Sequence, residues 1–551
     1  MTSASTAPVT ASPAPGSPTR VAIIGAGVAG LASAALLARA GYQVQIFEQH
    51  DEPGGRTGRW ECDGFRFDTG PSWLLMREVF SHFYALLGRD IDAELPMRQL
   101  DPAYQVFFES TPGPLTIRAR QEANQATFES VEPGAADRLG RYLDSAQRTY
   151  DLAIQHFLYT YFPHPAALAH PRVLARLPQL VRLLGQSLQT KVHGEFTDPR
   201  LRQVLGFPAV FLGTSPQRAP SMYHLMSALD LAGGVYYPEG GMYALIDSMV
   251  RCAQHEGAQI HTSARVERIR TEARAAGVGG GRRRRVRGVQ VRIGDQVRQV
   301  DADVVVGAGD ITHLDRLLPP PARRPRAYWQ RRDPGLGGVL AMLGVRGRVP
   351  QLQHHSLFFT ADWEANFAAI FGPRQQVPDP ASIYVCAPSR TDPTCAPEGM
   401  ENLFLLIPVP ADPQIGRGGI DREGDPRVEA AVDAAINQVA TWAGIPDLAD
   451  RIVVRRTVGP GDFADDLGAW SGSLLGPAHV LSQSAMWRTP NQSPTVAGLY
   501  YTGASTEPGV GLPMCLISAE VLLKRLRGDR TSGPLSEPLV APLPDLPAAG
   551  R

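Results

Sequence analysis

Three glycines, Gly25, Gly27 and Gly30, stand in the spacing G-x-G-x-x-G, and a carboxylate, Glu48, follows 23 residues after the first of them. That set does dinucleotide chemistry. Gly25 permits a tight strand-to-helix turn, Gly27 lets backbone N–H groups approach a pyrophosphate, and Gly30 lets the helix lie close to the strand. Glu48 can accept both hydroxyls of a ribose and would repel a 2′-phosphate. A second glycine turn follows in PGGRTGR, residues 53–59. There Gly54 and Gly55 suit another phosphate-adjacent bend, and Arg56 and Arg59 are placed to pair with phosphate or close the site. The elements that must hold these groups are legible around them. The apolar run 21–24 reads as a buried parallel strand, 31–40 as a helix whose N-terminus faces the phosphates, and 44–47 as the next strand.

Further motifs lie along the chain. GFRFDTGPSWL spans 64–74 and contains Gly70; YYPEGGMYALIDSMVRCAQHEGAQIHTSARVERI spans 236–269 and contains Val266; DVVVGAG spans 303–309; GLYYTGASTEPGVGLPMCLISAE spans 498–520. The N-terminal run resembles the FAD-binding start of the amine oxidase and phytoene desaturase superfamily. The 498–520 run resembles the C-terminal flavin motif of carotenoid desaturases of the bacterial phytoene desaturase type. The segments 354–359, 382–399 and 403–410 resemble that family's substrate-domain strands. The resemblance covers about residues 20–527. It implies FAD as cofactor, with Gly503 near the pyrophosphate and Leu512, Pro513 and Met514 passing close to the isoalloxazine. It also places Gly55, Arg56, Arg59, Gly70 and Val266 among the cofactor contacts. Glu507 sits where the family varies and receives no role.

The remaining composition narrows the class. A chain of 551 residues with 43% hydrophobic content holds two or three domains with large cores. Lys and Arg total 54 against 54 Asp and Glu, so no global field recruits nucleic acid. Cys62, Cys252, Cys386, Cys395 and Cys515 are odd in number and share no C-x-x-C spacing, which reads as reduced, buried residues rather than a metal site or disulfide framework. No run reaches the ~20 apolar residues of a spanning helix. The Gly/Arg-rich insert 277–288 reads as a solvated hairpin loop, and the stretches 1–19 and 528–551 as disordered tails.

The expected fold is α/β (α+β overall). A discontinuous Rossmann-like FAD-binding domain takes residues 18–110, 236–312 and 495–527. A substrate domain with an antiparallel sheet takes 111–130 and 313–494. A helical subdomain takes 131–235.

The expected activity follows from these readings together. One dinucleotide signature and no second one argues against a nicotinamide partner. A desaturase needs a hydride acceptor, which flavin supplies, and loss of a proton from the neighbouring carbon. The resemblance implies an apolar polyene substrate, phytoene or a related carotenoid, dehydrogenated towards lycopene, with oxygen or a quinone as electron acceptor. His354 and His355 are candidates for proton handling, but paired histidines on a strand are more often structural, and no catalytic base is assigned. The alternatives are a 3,4-desaturase, a ketolase-like oxidase or a carotene isomerase, which share these motifs, an amine oxidase, and a non-enzymatic isoprenoid carrier. A membrane surface is the expected partner and the cytoplasmic face of the membrane the expected location. From Leu152 to Gly194 there is no Asp or Glu, while Arg172, Arg176, Arg182 and Lys191 accompany Val173, Leu177, Leu180, Leu184 and Leu188 at helical spacing. An aromatic-rich cluster, Phe157 to Phe162, precedes them.

Overall fold

The computed structural model describes residues 18–109, 111–161, 177–273 and 284–540. Five parallel strands form the first sheet, in the order Leu499–Tyr501, Val304–Gly307, Arg20–Ile24, Gln43–Phe47, Gln259–His261. They come from three distant parts of the chain, as the discontinuous α/β reading requires. The helix Val28–Arg39 is alanine-rich and buried from Val28 through Leu37. Its short side chains let it sit between the helices Leu512–Arg527 and Tyr243–His255, which pack against it. Ala264–Ala273, Arg284–Ile293 and Gln296–Asp301 form an antiparallel meander beside this sheet. The predicted loop 277–288 therefore begins to pair at Arg284; residues 274–283 lie outside the described residues.

The second large sheet has seven strands: Ile452–Val458, Leu336–Val345, Glu401–Pro410, Ile383–Cys386, His355–Phe359, Tyr104–Phe108 and Leu115–Ile117. All neighbours are antiparallel except His355–Phe359 with Tyr104–Phe108, which run parallel. This corrects the assignment of residues up to 110 to the cofactor domain. Tyr104–Phe108 is buried throughout and pairs Gln105 with Ser356, and Phe107 stacks on Phe358 with ring centroids 4.7 Å apart. Strands of this sheet read as continuous apolar runs because both faces are covered. Val339, Leu343, Leu403, Leu405, Ile407 and Val385 share one core with the helix Pro426–Ala443. The alternate residues Leu340, Phe404, Leu406 and Tyr384 turn to the opposite face, where a cavity lies.

The helical part comprises Gln121–Val131, Ala135–Ala153, Leu177–Gly185, Leu188–His193 and Pro199–Gly206. Arg172, Arg176 and Val173 of the predicted basic helix lie outside the described residues. Of its other members, Leu188 is fully buried and Arg182 exposed.

The C-terminal stretch from 528 was expected to be disordered, yet residues 528–540 are docked. Lys524, buried on its helix, donates to the carbonyls of Tyr159, Thr531 and Gly533. A buried ammonium requires such acceptors, and the proline-rich stretch supplies two of them. Leu535 N–H then donates to Glu520 at 2.6 Å and Leu539 N–H to the Leu86 carbonyl at 2.9 Å. Residues 1–17 and 541–551 of the two predicted tails lie outside the described residues. The five cysteines form no disulfide, and Cys62 and Cys515 are only partly buried, against the expectation of full burial.

Candidate active site

The glycines build a cradle from backbone. Gly25 adopts φ +99° and donates its N–H to the Phe47 carbonyl at 2.9 Å. A Cβ on Gly30 would stand 2.0 Å from the Gly25 carbonyl oxygen, so the helix reaches this close only with glycine there. Gly54 (φ +134°) and Gly55 (φ +59°) form the second turn, and Gly54 N–H donates to the Ala26 carbonyl at 3.0 Å. A Cβ on Gly27 would meet no protein atom nearer than 3.6 Å and would stand in the cavity between the two turns. Glu48 is buried at the tip of its strand, with its carboxylate accepting from Ala26 N–H at 2.8 Å and His50 N–H at 3.0 Å.

The other predicted positions gather here with one exception. Gly70 lets the loop after the strand Phe65–Asp68 pass the Arg56 carbonyl, which a Cβ would approach to 1.8 Å. Gly503 (φ +100°) donates N–H to Ser518 Oγ at 3.1 Å and comes against Ala29, at the start of the first helix. Leu512, Pro513 and Met514 open the helix Leu512–Arg527, and with Gly55, Arg56, Gly70, Val266 and Gly503 they line the cavity. Two helix N-termini, at Val28 and Leu512, thus border it, each with free N–H groups and a positive dipole end. Arg56 donates Nε–H to the Leu474 carbonyl at 2.9 Å, while its buried Nη2 has no hydrogen-bond partner. Arg59 is the exception. Its guanidinium is held by Glu52 at 2.6 and 3.2 Å and lies over the Tyr243 ring at 4.5 Å, away from the cavity. Its charge is paired within its own loop.

The cavity has a volume of about 800 Å³. Its lining joins this cradle to Leu340, Phe404 and Leu406 on the large sheet and to Phe157, Leu158, Val181 and Leu184 of the helical part. Its charged lining groups, Glu48, Arg56, Asp310 and Glu507, belong to the segments that carry the glycine turns; the sheet and helical walls are mostly apolar. A dinucleotide fits the backbone cradle, and the unpartnered Arg56 Nη2 and the second helix N-terminus suit the electron-rich edge of a flavin. A long apolar ligand fits the remainder.

Comparison with known proteins agrees with that division. The sequence signature of the flavin-containing amine oxidoreductases matches residues 28–520. A carotenoid 3,4-desaturase of Haloarcula japonica is 36% identical over 91% of this chain and 96% of its own length. A zeta-carotene-forming phytoene desaturase of Myxococcus xanthus is 36% identical over 92% of this chain and 93% of its own. The chain belongs to the carotenoid desaturase family of flavin-dependent oxidoreductases. The family's fold is shared more widely. A putrescine oxidase structure with putrescine bound superposes with a TM-score of 0.56 at 16% identity, covering 92% of this chain and 98% of that one. An oxidoreductase structure from Methanosarcina mazei gives 0.56 at 17% identity, covering 92% and 100%.

His354 and His355, the predicted proton-handling pair, are buried and do not line the cavity. Burial holds His354 down at about 3 and His355 well below the usual imidazole range, so both are neutral. His354 Nδ1 meets Thr391 Oγ1 at 2.7 Å. His355 Nδ1 meets Tyr384 OH at 2.8 Å, and Tyr384, which does line the cavity, also meets Ser72 Oγ at 2.7 Å. His355 therefore meets the cavity through Tyr384 and through Trp73, whose ring stacks on it at 4.7 Å. The donor atoms of His354, His355 and Cys386 lie within 4.8 Å of one another, all three residues buried.

Two cavity residues carried no sequence signal of their role. His479 accepts from Val510 N–H through Nε2 at 3.1 Å, which leaves the proton on Nδ1, 2.7 Å from Tyr223 OH. It ties the turn before the C-terminal helix to the helical part. Glu507, the position where the family varies, is buried in the same turn, and burial pushes its carboxyl up to about 7.

Proposed function

We propose that the protein is an FAD-dependent phytoene desaturase that introduces double bonds into phytoene on the way to lycopene. The observation that carries this is a single cavity whose one end is a backbone cradle for a dinucleotide and whose other walls are apolar over a long path. Glu48 as ribose partner and the paired glycine turns favour the dinucleotide form of flavin over the mononucleotide. Bound FAD supplies a hydride acceptor. The chain's own residues hold it by backbone donors, exclude water with Leu340, Phe404 and Leu406, and align the polyene so that successive carbon pairs meet the flavin. Re-oxidation draws on oxygen or a quinone.

The substrate's source is the membrane, at its cytoplasmic face. At ~0.8 kcal/mol per buried CH₂, a C40 hydrocarbon costs on the order of 30 kcal/mol to carry through water. Transfer from bilayer to apolar cavity avoids that cost. The cavity wall includes Phe157, Leu158, Val181 and Leu184, and Val181 is 60% exposed, beside the exposed Arg182. Among the described residues no helix is long and apolar enough to cross a membrane, so contact would be peripheral.

Expression in cells that accumulate phytoene, followed by pigment chromatography, tests the reading. A red, extended polyene is expected. Untouched phytoene together with conversion of supplied lycopene or a hydroxylated carotenoid would replace it with the 3,4-desaturase reading. Flotation with anionic liposomes tests the membrane contact separately.

A further inference from the structure

One wall of the main cavity has a second cavity behind it. Phe211, Tyr384, Leu406, Leu474 and Leu475 line both. Tyr384 and Leu406 are register partners on adjacent strands of the seven-stranded sheet, so their side chains stand together on its cavity face. Leu474 lies over Gly338, a position on the neighbouring strand where a Cβ would come within 3.0 Å of the Leu474 side chain. The missing side chain there makes room for it. The Leu474 backbone is fixed at both ends: its N–H donates to the Leu336 carbonyl at 2.9 Å and its carbonyl accepts from Arg56 Nε at 2.9 Å. Phe211 closes the wall from the helical part, with its ring 5.3 Å from that of Trp73.

The space behind the wall is about 80 Å³. Phe207, Phe359, Trp363, Phe367 and Ile370 enclose it. Two polar groups at its edge are engaged: Trp363 Nε1–H donates to Ser382 Oγ at 3.1 Å, and Asn366 Oδ1 accepts from Ser382 N–H at 2.9 Å. The rest of its lining is apolar or aromatic, an environment that favours an apolar occupant over water. An empty apolar void costs stability, and this one adjoins the place where an apolar chain would stop.

We infer that this wall is the end stop of the polyene channel, and that Leu406, Leu474 and Leu475 set which carbon pair stands at the flavin. The inference rests on the desaturase reading above and deepens it: the end stop is a ruler for the site and number of dehydrogenations. Arg56 lines the glycine cradle and holds Leu474 through its carbonyl, so one side chain links the cradle to the wall. Opening the wall would let the chain end slide into the second cavity, whose volume equals roughly two to three liquid waters. That is enough for part of an isoprene unit.

The test compares wild type with Leu406→Ala/Leu474→Ala in the phytoene-accumulating host, reading carotenoids by chromatography and flavin by absorbance of the purified protein. A wild type that makes no carotenoid product ends the desaturase reading and is seen before any variant is scored. With an active wild type, the double variant should keep its flavin and change the ratio of products by about tenfold, the discrimination that a methylene exerts in an apolar pocket. Adding Val210→Phe, which refills the second cavity from behind, should return the ratio to that of wild type. An unchanged product ratio in a flavin-loaded, active double variant overturns the end stop, as does a changed ratio that Val210→Phe leaves untouched. Where the double variant loses its flavin, Leu406→Val is read in its place. A shift in the same direction supports the end stop, and an unchanged ratio overturns it.

Discussion

At one end of the cavity the wall is backbone: Gly25, Gly27, Gly54, Gly55 and Gly503 bring carbonyls and N–H groups within reach of a ligand. At the other end it is side chain: Leu340, Phe404, Leu406 and Tyr384, drawn from three strands, with Phe157 and Val181 from the helical part. The two ends obey different rules of substitution. A backbone cradle depends on positive φ and on the absence of Cβ, which only glycine supplies at low cost. An apolar wall depends on volume and shape, which several residues supply interchangeably. The first end should therefore fail abruptly on single substitutions, while the second should change selectivity before it loses stability.

The sharpest way to break this comparison is within the cradle. Gly30→Ala should have the largest effect, because its Cβ would stand 2.0 Å from the Gly25 carbonyl oxygen and 3.2 Å from the Ala308 side chain. The helix must move off the strand, at a cost of about 3 kcal/mol or more, and a thermal melt should show a lower transition together with lost flavin. Gly27→Val separates fold from binding. Gly27 has φ −76° and ψ 179°, open to any residue, and nothing of the protein lies within 3.6 Å of its Cβ. This variant should melt like wild type but purify colourless and inactive. Stoichiometric FAD with a normal spectrum in Gly27→Val would show that the pyrophosphate does not pass there.

Glu507 sharpens the contrast from the other side, as a charged group in the turn beside the apolar part. Burial raises its carboxyl to about 7, and the charges of Arg525 and Arg488 and the Asn491 N–H oppose that rise. Its folded-state value lies above the ordinary carboxyl value, so between those two values the folded protein binds more protons than the unfolded chain. Stability from this group is then present at low pH and is lost as pH rises through about 7. The loss amounts to roughly 3 kcal/mol across that window. Glu507→Gln, which holds no charge, should melt above wild type at pH 8.5 and close to it at pH 5. Parallel pH profiles of the two proteins would show that the carboxyl is not raised.

The same two rules explain what was legible in the sequence. Gly25, Gly30, Gly55, Gly70 and Gly503 could be read because each serves a positive φ or a close approach with no substitute, and the structure brings them together with Gly27 in one place. The parallel-sheet fold was legible for the same reason, since its strands end at those turns. Tyr104–Phe108 could not be placed, because its partner His355–Phe359 lies some 250 residues on and pairing of that range leaves no local mark. The docked stretch 528–540 was misread from its composition; its anchor is Lys524, whose burial is a tertiary fact. His479 stands alone in a loop, and only the fold shows Val510 and Tyr223 on either side of it. The wall residues Leu406, Leu474 and Leu475 look like any leucines, and their meaning is the void behind them.

The smallest expected effect belongs to Arg59. In sequence it stands beside Arg56 in one loop, and charge alone does not distinguish them. In the structure Arg56 reaches across to the Leu474 carbonyl and lines the cavity, whereas Arg59 pairs with Glu52 seven residues earlier, both about half exposed or less. An ion pair at that exposure is worth about 0.2–1 kcal/mol and weakens with salt. Its stacking over Tyr243 adds about 0.5–1 kcal/mol at an exposed site. Arg59→Ala should therefore lower the melting transition slightly, less so in high salt, and leave flavin content and product ratio as in wild type. Arg56→Ala should lower flavin occupancy and, by releasing Leu474, blur the product ratio as well. Equal flavin loss in the two variants would return Arg59 to the cofactor and show that its pairing with Glu52 gives way when the dinucleotide binds.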